Sequence, residues 1–314
     1  MAKRVITITM NPCIDKTVLV DQFQVYGLNR VHNIRLDPGG KGINVAKVLQ
    51  NFQVDVLVSG LIAGKQGSLL LQQITQLGIQ NDFLEIEGET RINLKIVDES
   101  VCKTTEVNEP GFFVAEQEID NFFQKYQLII QQAEMIILAG SLPPGVPDDF
   151  YARCITLAKK SGIKTILDAD GVAFAKGIEA KPYAIKPNIL ELQHYLNCEA
   201  FENVKQVADA AQKLLDTGIE IVIVSMGKDG AVVADHTEIV KTDTWTVPVK
   251  STVGAGDSMV GSLAYSIIQQ FPLSEIAKIT TAAGTITASK SGTLICTLEE
   301  VLDAMNRVSI KKFK

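Results

Sequence analysis

The chain has 314 residues, of which 46% are hydrophobic and 21% are charged, and its formal net charge is −6. This length is sufficient to bury a large core in one α/β domain with a small appendage. Because the chain contains no basic run, we expect no nucleic acid partner. An anionic substrate would instead be held by individually placed lysine and arginine side chains and by backbone amides.

The cysteines and the first apolar run indicate the cellular compartment. The cysteines are scattered, odd in number and without Cys-x-x-Cys spacing, which favours reduced thiols over a disulfide framework or a zinc site. They are Cys13, Cys102, Cys154, Cys198 and Cys296. The first apolar run, residues 5–10, is too short for a signal sequence or a membrane span. We therefore expect a cytoplasmic protein with no membrane partner.

The first third of the chain mixes strand and helix patterns. Short β-branched runs predict strands, and apolar residues at helical spacing predict helices. The predicted strands are 5–10, 54–61, 83–86 and 92–97, with an extended piece at 104–107; helices follow the glycines at 39–42 and cover 68–77. Residues 16–36 alternate in patches without a helical period, so they predict short strands outside the main sheet.

The rest of the chain alternates strands and helices. The predicted strands are 135–139, 164–167, 183–185 and 221–224, with a hairpin at 231–241, and the predicted helices are 119–130, 149–160, 190–196, 204–215, 259–268, 274–288 and 298–308. This order favours a mostly parallel sheet with helices on both faces. Segments 13–36 and 92–108 depart from it and predict a small β-sheet, called the lid below. Residues 1–12, 37–91 and 109–314 then form the core.

The stretch Thr252-Val253-Gly254-Ala255-Gly256-Asp257 precedes an apolar run at helical spacing. Amide groups at the start of a helix attract phosphate, and more strongly the charge of a phosphoryl group in transfer. A carboxylate at this position would repel the same anion. The conflict is resolved if Asp257 is a base that takes a proton from the attacking hydroxyl. The alternative is an ordinary first-turn aspartate in a glycine-capped helix.

Common nucleotide and metal motifs of other families are absent from the sequence. Neither G-x-x-x-x-G-K-[ST] nor G-x-G-x-x-G occurs. The histidines, His32, His194 and His236, are not spaced as a metal-binding set. The sequence therefore excludes a classical P-loop enzyme and a Rossmann dehydrogenase.

Several other residues are suited to binding hydroxyl and phosphate groups. Gly39 and Gly40 allow a hydroxyl group to approach the backbone, and Asn44 can both donate and accept hydrogen bonds. A plain helix-entry turn is the alternative for the glycines. Arg91 and Lys41 are candidates for binding the sugar's phosphate, unless they are solvated surface cations.

A second group of residues suits ATP and Mg²⁺. Asn188 and Glu191 share one helix face and suit Mg²⁺ bound through water, although a helix cap requires the same pair. Lys186 is extended because it precedes a proline, and it can reach ATP phosphates. Ser225 and Gly227, with Lys228 beside them, follow a buried strand, where open α/β sheets place ligands.

Four stretches resemble signatures of the ribokinase/PfkB carbohydrate-kinase family. In family order they are 39–46, 140–145, 186–191 and 251–261. The resemblance implies a ribokinase-like α/β fold with a β lid, ATP as co-substrate and Mg²⁺ as cofactor. It implies Asp15 and Ser141 as substrate contacts, Thr252, Gly254 and Gly256 as nucleotide contacts, and a homodimer formed through the lid.

Three further stretches resemble the branch of this family that acts on phosphosugars. They are 9–15, 90–93 and 105–111. The implied reaction transfers phosphate from ATP to the 6-hydroxyl group of fructose 1-phosphate, with Asp257 as base and the amides of Gly254, Ala255 and Gly256 in the anion hole. Tagatose 6-phosphate and fructose 6-phosphate are alternative substrates. A non-catalytic sugar-phosphate sensor is the alternative from a different functional class.

Overall fold

The computed structural model describes residues 3–101 and 103–313. Across these residues the main sheet has ten strands in the order β14-β13-β12-β11-β10-β9-β8-β1-β4-β5. The strands are β1 Arg4–Thr9, β4 Val56–Ala63, β5 Gln80–Ile86, β8 Ala133–Ala139, β9 Lys164–Asp168, β10 Ala184–Ile185, β11 Ile221–Ser225, β12 Ala231–Asp235, β13 Ile239–Asp243 and β14 Ser309–Lys312. Neighbours from β5 to β11 are parallel, and the pairs beyond β11 are antiparallel. The predicted mostly parallel sheet is confirmed.

Helices cover both faces of this sheet, as the alternating pattern predicted. They are α1 Lys41–Asn51, α2 Gly64–Gln76, α3 Glu116–Ile129, α4 Phe150–Lys160, α5 Gly171–Glu179, α6 Ile189–Leu196, α7 Val204–Asp216, α8 Ala255–Ile268, α9 Leu273–Ala288 and α10 Leu298–Ala304. Ile136 and Leu138 of β8 pack with α3 to α7, whereas Met135 and Ile137 pack with α1, α2, α8 and α9. Each buried strand therefore supplies apolar side chains to two cores, which explains its continuous apolar sequence.

A second sheet lies beside the main one. Its described strands are β2 Cys13–Val20, β3 Asn33–Gly39, β6 Arg91–Asp98 and β7 Lys103–Asn108, in the order β3-β2-β6-β7. Segments 13–36 and 92–108, which depart from the alternation of strands and helices, pair directly, because β2 runs parallel to β6. The outer pairs, β2 with β3 and β6 with β7, are antiparallel.

Two elements differ from the sequence prediction. Helix α5 was not predicted, since glycines at both its ends leave only Phe174 and Ile178 as a buried pair one turn apart. The final helix was expected to reach residue 308, but α10 ends at Ala304. A short 3₁₀ turn then leads into β14, whose polar sequence pairs with β13 at the sheet edge. Edge strands of this kind carry no alternating apolar signal.

Within the described part of the chain, none of the helices combines the length and apolar character that crossing a membrane requires. The described cysteines, Cys13, Cys154, Cys198 and Cys296, are free thiols. Cys102 lies outside the described residues.

Candidate active site

The first turn of α8 lies at the end of the sheet where the parallel strands finish. Gly254 caps the helix with a positive φ of 78°, a conformation that favours glycine. The Ala255 N–H donates to the carbonyl of Thr252 at 3.3 Å, whereas the amides of Gly256 and Asp257 have no backbone acceptor among the described residues. Those two amides are therefore free for an anion.

Asp257 is the third residue of α8 and is only 7% exposed. Its Oδ2 accepts a hydrogen bond from Asn44 Nδ2 at 2.8 Å. Burial, and second the carboxylate of Asp168, raise the pKa of Asp257 to about 6, against the opposing effects of Lys41, Asn44 and Lys186. A carboxyl group with this pKa is a base suited to neutral pH.

Asp168 ends β9 and stands between two lysines. Its Oδ1 lies 3.2 Å from Lys41 Nζ and 3.5 Å from Lys186 Nζ. Burial would raise the pKa of Asp168, but the two ammonium groups hold it below its usual value. Burial likewise opposes the charge of Lys41, but Asp168, Glu191 and Asp257 outweigh it and raise the lysine's pKa. Lys41 thus stays cationic near the base, where phosphate charge can be neutralised.

Some of the residues assigned to the nucleotide border one cavity of about 660 Å³, whereas Lys186, Asn188 and Gly254 do not line it. Ser225, Gly227, Lys228, Thr252 and Gly256 are among the residues that line it. Val249, Met259, Gly284 and Ala288 also line it. A pocket lined both by apolar groups and by a residue with a free amide, Gly256, is suited to a base joined to phosphates.

Asn188 and Glu191 form a reciprocal helix cap, the alternative that the sequence left open. Asn188 Oδ1 accepts from the Glu191 amide at 2.9 Å, and Glu191 Oε2 accepts from the Asn188 amide at 2.8 Å. Glu191 Oε1 remains on the side of Lys41, 3.9 Å from its Nζ. Asp168 Oδ2 is buried and has no partner in the described chain. These oxygens fit a hydrated Mg²⁺, so the capping and metal roles are compatible.

Asp15 lies on β2 and is buried in an ion pair with Lys95 of β6, Oδ2 to Nζ 3.0 Å. A β-carbon at Gly39 would lie 2.7 Å from Asp15 Oδ2, so only glycine fits beside this carboxylate. Gly40 has a φ of 114° and packs against Thr9 and Pro12. The glycine turn and Asp15 therefore form one wall of the site.

Arg91, Asn11 and Ser141 meet at the ends of β1 and β6. Arg91 donates to the carbonyls of Glu109 and Asn11, and Asn11 Nδ2 donates to Ser141 Oγ at 3.3 Å. The Nε of Arg91 and the Oδ1 of Asn11 are buried without partners among the described residues. Unpaired buried polar atoms are costly, so a polar ligand is expected here.

The sequence profile of the pfkB family carbohydrate kinases matches residues 8–300 of this chain. This match includes the whole second sheet, the main sheet except β14 and most of β1, and the site described above. The chain belongs to the pfkB family of carbohydrate kinases. The ribokinase-like fold that the sequence motifs implied is confirmed.

Relatives of this kinase act on different phosphosugars. A tagatose-6-phosphate kinase from Staphylococcus epidermidis is 34% identical over 291 residues, which cover 92% of this chain and 93% of that protein. A 1-phosphofructokinase from Rhodobacter capsulatus is 35% identical over 283 residues, covering 90% and 89%. A crystal structure of Escherichia coli phosphofructokinase-2 in complex with fructose-6-phosphate superposes with a TM-score of 0.89 at 26% identity, covering 97% and 99% of the two chains.

Sequence reasoning missed three charged residues of this kinase's site, namely Lys47, Lys95 and Asp168. Asp168 could have been found, because acids at the carboxyl end of a buried parallel strand face the ligand crevice. Lys95 interrupts an apolar strand, Leu94-Lys95-Ile96, on the alternate face that also carries Asn93. The signal for Lys47 is weaker, since its contacts depend on how α1 packs.

Proposed function

We propose that this chain is an ATP-dependent kinase of a phosphorylated ketohexose, and that its substrate is fructose 1-phosphate. The observation that supports this proposal is the buried base Asp257. Its helix borders the nucleotide cavity through Gly256, and its own side chain contacts Asn44 on the sugar side. A base between two such sites suits phosphoryl transfer from one ligand to the other.

In the proposed chemistry one bond to phosphorus forms, one bond to phosphorus breaks, and one proton is transferred. The 6-hydroxyl oxygen of the sugar attacks the γ-phosphorus of ATP, the bond from that phosphorus to the β,γ-bridging oxygen breaks, and ADP leaves. The hydroxyl proton passes to the carboxylate of Asp257. The free amides of Gly256 and Asp257, with Lys41 and Lys186, stabilise the charge on the transferring group. A Mg²⁺ held from Glu191 and Asn188 through water would neutralise phosphate charge.

In this proposal the lid, residues 13–36 and 92–108, covers the sugar with its polar face. Asp15 and the Gly39-Gly40 backbone bind ring or chain hydroxyls, and Arg91 with Ser141 binds the existing phosphate. The sequence suggested that Lys41 binds the sugar's phosphate. Its ammonium group lies instead beside Asp168 and Glu191. We therefore assign Lys41 to the transferring phosphate, and we leave the sugar's own phosphate to Arg91.

A substrate panel tests this proposal. Fructose 1-phosphate, tagatose 6-phosphate and fructose 6-phosphate are each assayed with MgATP by coupled ADP release, and kcat/KM is compared. We expect fructose 1-phosphate to give the highest value. A tenfold higher kcat/KM for either other sugar would assign that sugar as the substrate in place of fructose 1-phosphate. No ADP release with any sugar would contradict the kinase proposal.

A further inference from the structure

Lys47 connects the base to the sugar-binding turn without belonging to either. It lies on α1, three residues after Asn44, and is only partly exposed. Its Nζ donates to Asn44 Oδ1 at 3.2 Å and to the carbonyl of Pro38, which precedes the Gly39-Gly40 turn. The lysine thus contacts both the residue that touches Asp257 and the backbone that leads into the glycine turn.

The amide group of Asn44 lies between an ammonium group and a carboxylate. An ammonium group can only donate hydrogen bonds, and a carboxylate can only accept them. The Asn44 oxygen must therefore face Lys47, and its nitrogen must face Asp257. If the amide were reversed, its oxygen would face the carboxylate of Asp257 and its N–H groups would face the ammonium group of Lys47, so both hydrogen bonds would be lost.

We propose that Lys47 is a positioning residue for phosphoryl transfer, acting through Asn44 to hold the Asp257 carboxylate in its reactive orientation. This inference rests on the proposed role of Asp257 as the base. With Oδ2 occupied by Asn44, Oδ1 of Asp257 is left to accept the sugar's hydroxyl proton. A base that rotates away from the attacking hydroxyl loses the alignment that makes proton transfer fast.

Carboxylates from three elements surround Lys47. Burial lowers the pKa of Lys47, and Asp15 of β2, Asp37 of β3 and Asp257 of α8 oppose this shift because they favour the charged form. The same residue lines a cavity of about 400 Å³, together with Gln50, Asn51 and Gln73. An alanine at position 47 would open this cavity toward Asn44, so methionine, which preserves the volume, is the better replacement.

The test compares steady-state kinetics of the wild type with Lys47→Met, Lys47→Arg and Lys47→Gln. We expect Lys47→Met to lower kcat about tenfold to a hundredfold, with KM for ATP unchanged. Arginine, which also only donates, should restore most of kcat, whereas glutamine can donate or accept and should be intermediate. Lys65→Met removes an exposed lysine from α2 and should match the wild type.

A double-mutant cycle with Asn44→Ala separates positioning from other roles. If Lys47 acts through Asn44, Lys47→Met should change kcat less than about twofold in the Asn44→Ala background. Equal losses in both backgrounds would overturn the inference. An effect confined to KM for the sugar phosphate, or no rescue by arginine, would overturn it as well.

The failure of the proposed function is distinguishable from the failure of this inference. A wild-type protein that releases no ADP contradicts the kinase proposal itself. The four proteins of the cycle are then compared by urea unfolding. If Lys47 and Asn44 are in contact, the midpoint shift of the double variant should differ from the sum of the two single shifts. Additive shifts would reject the contact. An active wild type with an additive kinetic cycle contradicts only the role of Lys47.

Discussion

Asp257 combines two properties that oppose each other in the folded protein. Its carboxylate is buried and lies near Asp168, and both effects favour the neutral form. Lys41, Lys186 and the amide of Asn44 favour the charged form. The balance gives a pKa of about 6, which leaves the group ionised at neutral pH but ready to accept a proton.

Replacement of this carboxyl group should separate turnover from binding. Asp257→Asn has the same shape but cannot accept the proton, so we expect kcat to fall by about 10²–10⁴-fold. The dissociation constant for ATP, measured by calorimetry, should change little because the amides of Gly256 and residue 257 remain. Glu116→Gln, at an exposed position of α3, is a matched isosteric control. A variant within a few-fold of wild-type turnover would remove Asp257 from the reaction.

The same variant should be more stable than the wild type at pH 7. The raised pKa of Asp257 stabilises the folded protein at low pH. This stabilisation is fully present below the ordinary carboxyl pKa of 3.8, where the group is protonated in both the folded and the unfolded state. It is lost as pH rises through about 6, where the buried group ionises. Because asparagine cannot ionise, Asp257→Asn should gain about 2–3 kcal/mol at pH 7 and nothing near pH 3. Urea unfolding at both pH values measures this difference.

The pH dependence of turnover follows from the same group. Only ionised Asp257 can accept the proton, so kcat should be constant well above pH 6 and fall below it. On the acid side the slope should be about tenfold per pH unit, as expected for one proton. A midpoint near 4 would mean that the carboxyl group is not desolvated in the complex. The measurement is kcat at saturating substrates from pH 4.5 to 8.5, with the coupling enzymes in excess.

Arg91 offers a test of the phosphate assignment. Two of its nitrogens donate to the carbonyls of Asn11 and Glu109, so the side chain is held in place before any ligand binds. Arg91→Lys retains the charge but not the planar pair of donors, and should raise KM for each phosphosugar about tenfold. KM for ATP should stay constant. Equal KM values for the sugar phosphates in both proteins would assign their phosphate to another residue.

At the scale of elements, two helices have a glycine as their second residue, for different reasons. A β-carbon at Gly42 of α1 would lie 2.2 Å from Thr9 Oγ1 and 3.1 Å from the carbonyl of Ile8. A β-carbon at Gly256 of α8 would meet Lys186 Nζ at 3.4 Å, an ordinary contact. The first glycine is required for packing of the helix on β1, and we propose that the second allows access of the nucleotide.

Alanine at each position should separate these two roles. Gly42→Ala forces α1 away from β1 and should lose about 1–3 kcal/mol of stability, more than the gain in helix propensity. Gly256→Ala should retain wild-type stability but raise KM for ATP, since the new methyl group lies in the nucleotide cavity. Urea midpoints and KM values measured on both proteins check the pair. A stable Gly42→Ala protein would show that the end of β1 can move.

The elements differed in how far the sequence could predict them. Most strands of the main sheet were predictable because both of their faces are buried and their residues are continuously apolar or β-branched. Helix α5 and strand β14 were missed, because glycines weaken the helical pattern of one and the other is a polar edge strand. Motif residues such as Asn188 and Glu191 were found because they are neighbours in sequence. The Lys41–Asp168 contact was missed because 127 residues separate its partners.

At the scale of the whole molecule, the lid sheet has two unlike faces. The strand register places Asp37, Asp15, Asn93 and Asn108 in one row, followed by Arg35, Thr17, Lys95 and Glu106. The opposite face carries the rows Leu36, Lys16, Leu94, Val107 and Ile34, Val18, Ile96, Thr105. The polar face belongs to the site, because it contains Asp15. The apolar face includes Ile34, Leu36 and Val107, which are 57%, 41% and 56% exposed in the single chain.

We predict that this apolar face packs against the same face of a second copy. A sheet with one solvated polar face and one exposed apolar face is stabilised when the apolar face is buried. A two-fold dimer buries it with one self-complementary surface. Sedimentation of the wild type should give a dimer at micromolar concentration. Ile34→Glu with Leu36→Glu should give a monomer with raised KM for the sugar, because the lid then lacks support. Leu128→Glu, on a leucine of α3 that is 71% exposed, should remain dimeric. A wild-type monomer with full activity would contradict the dimer, and would leave the apolar face of the lid to another partner.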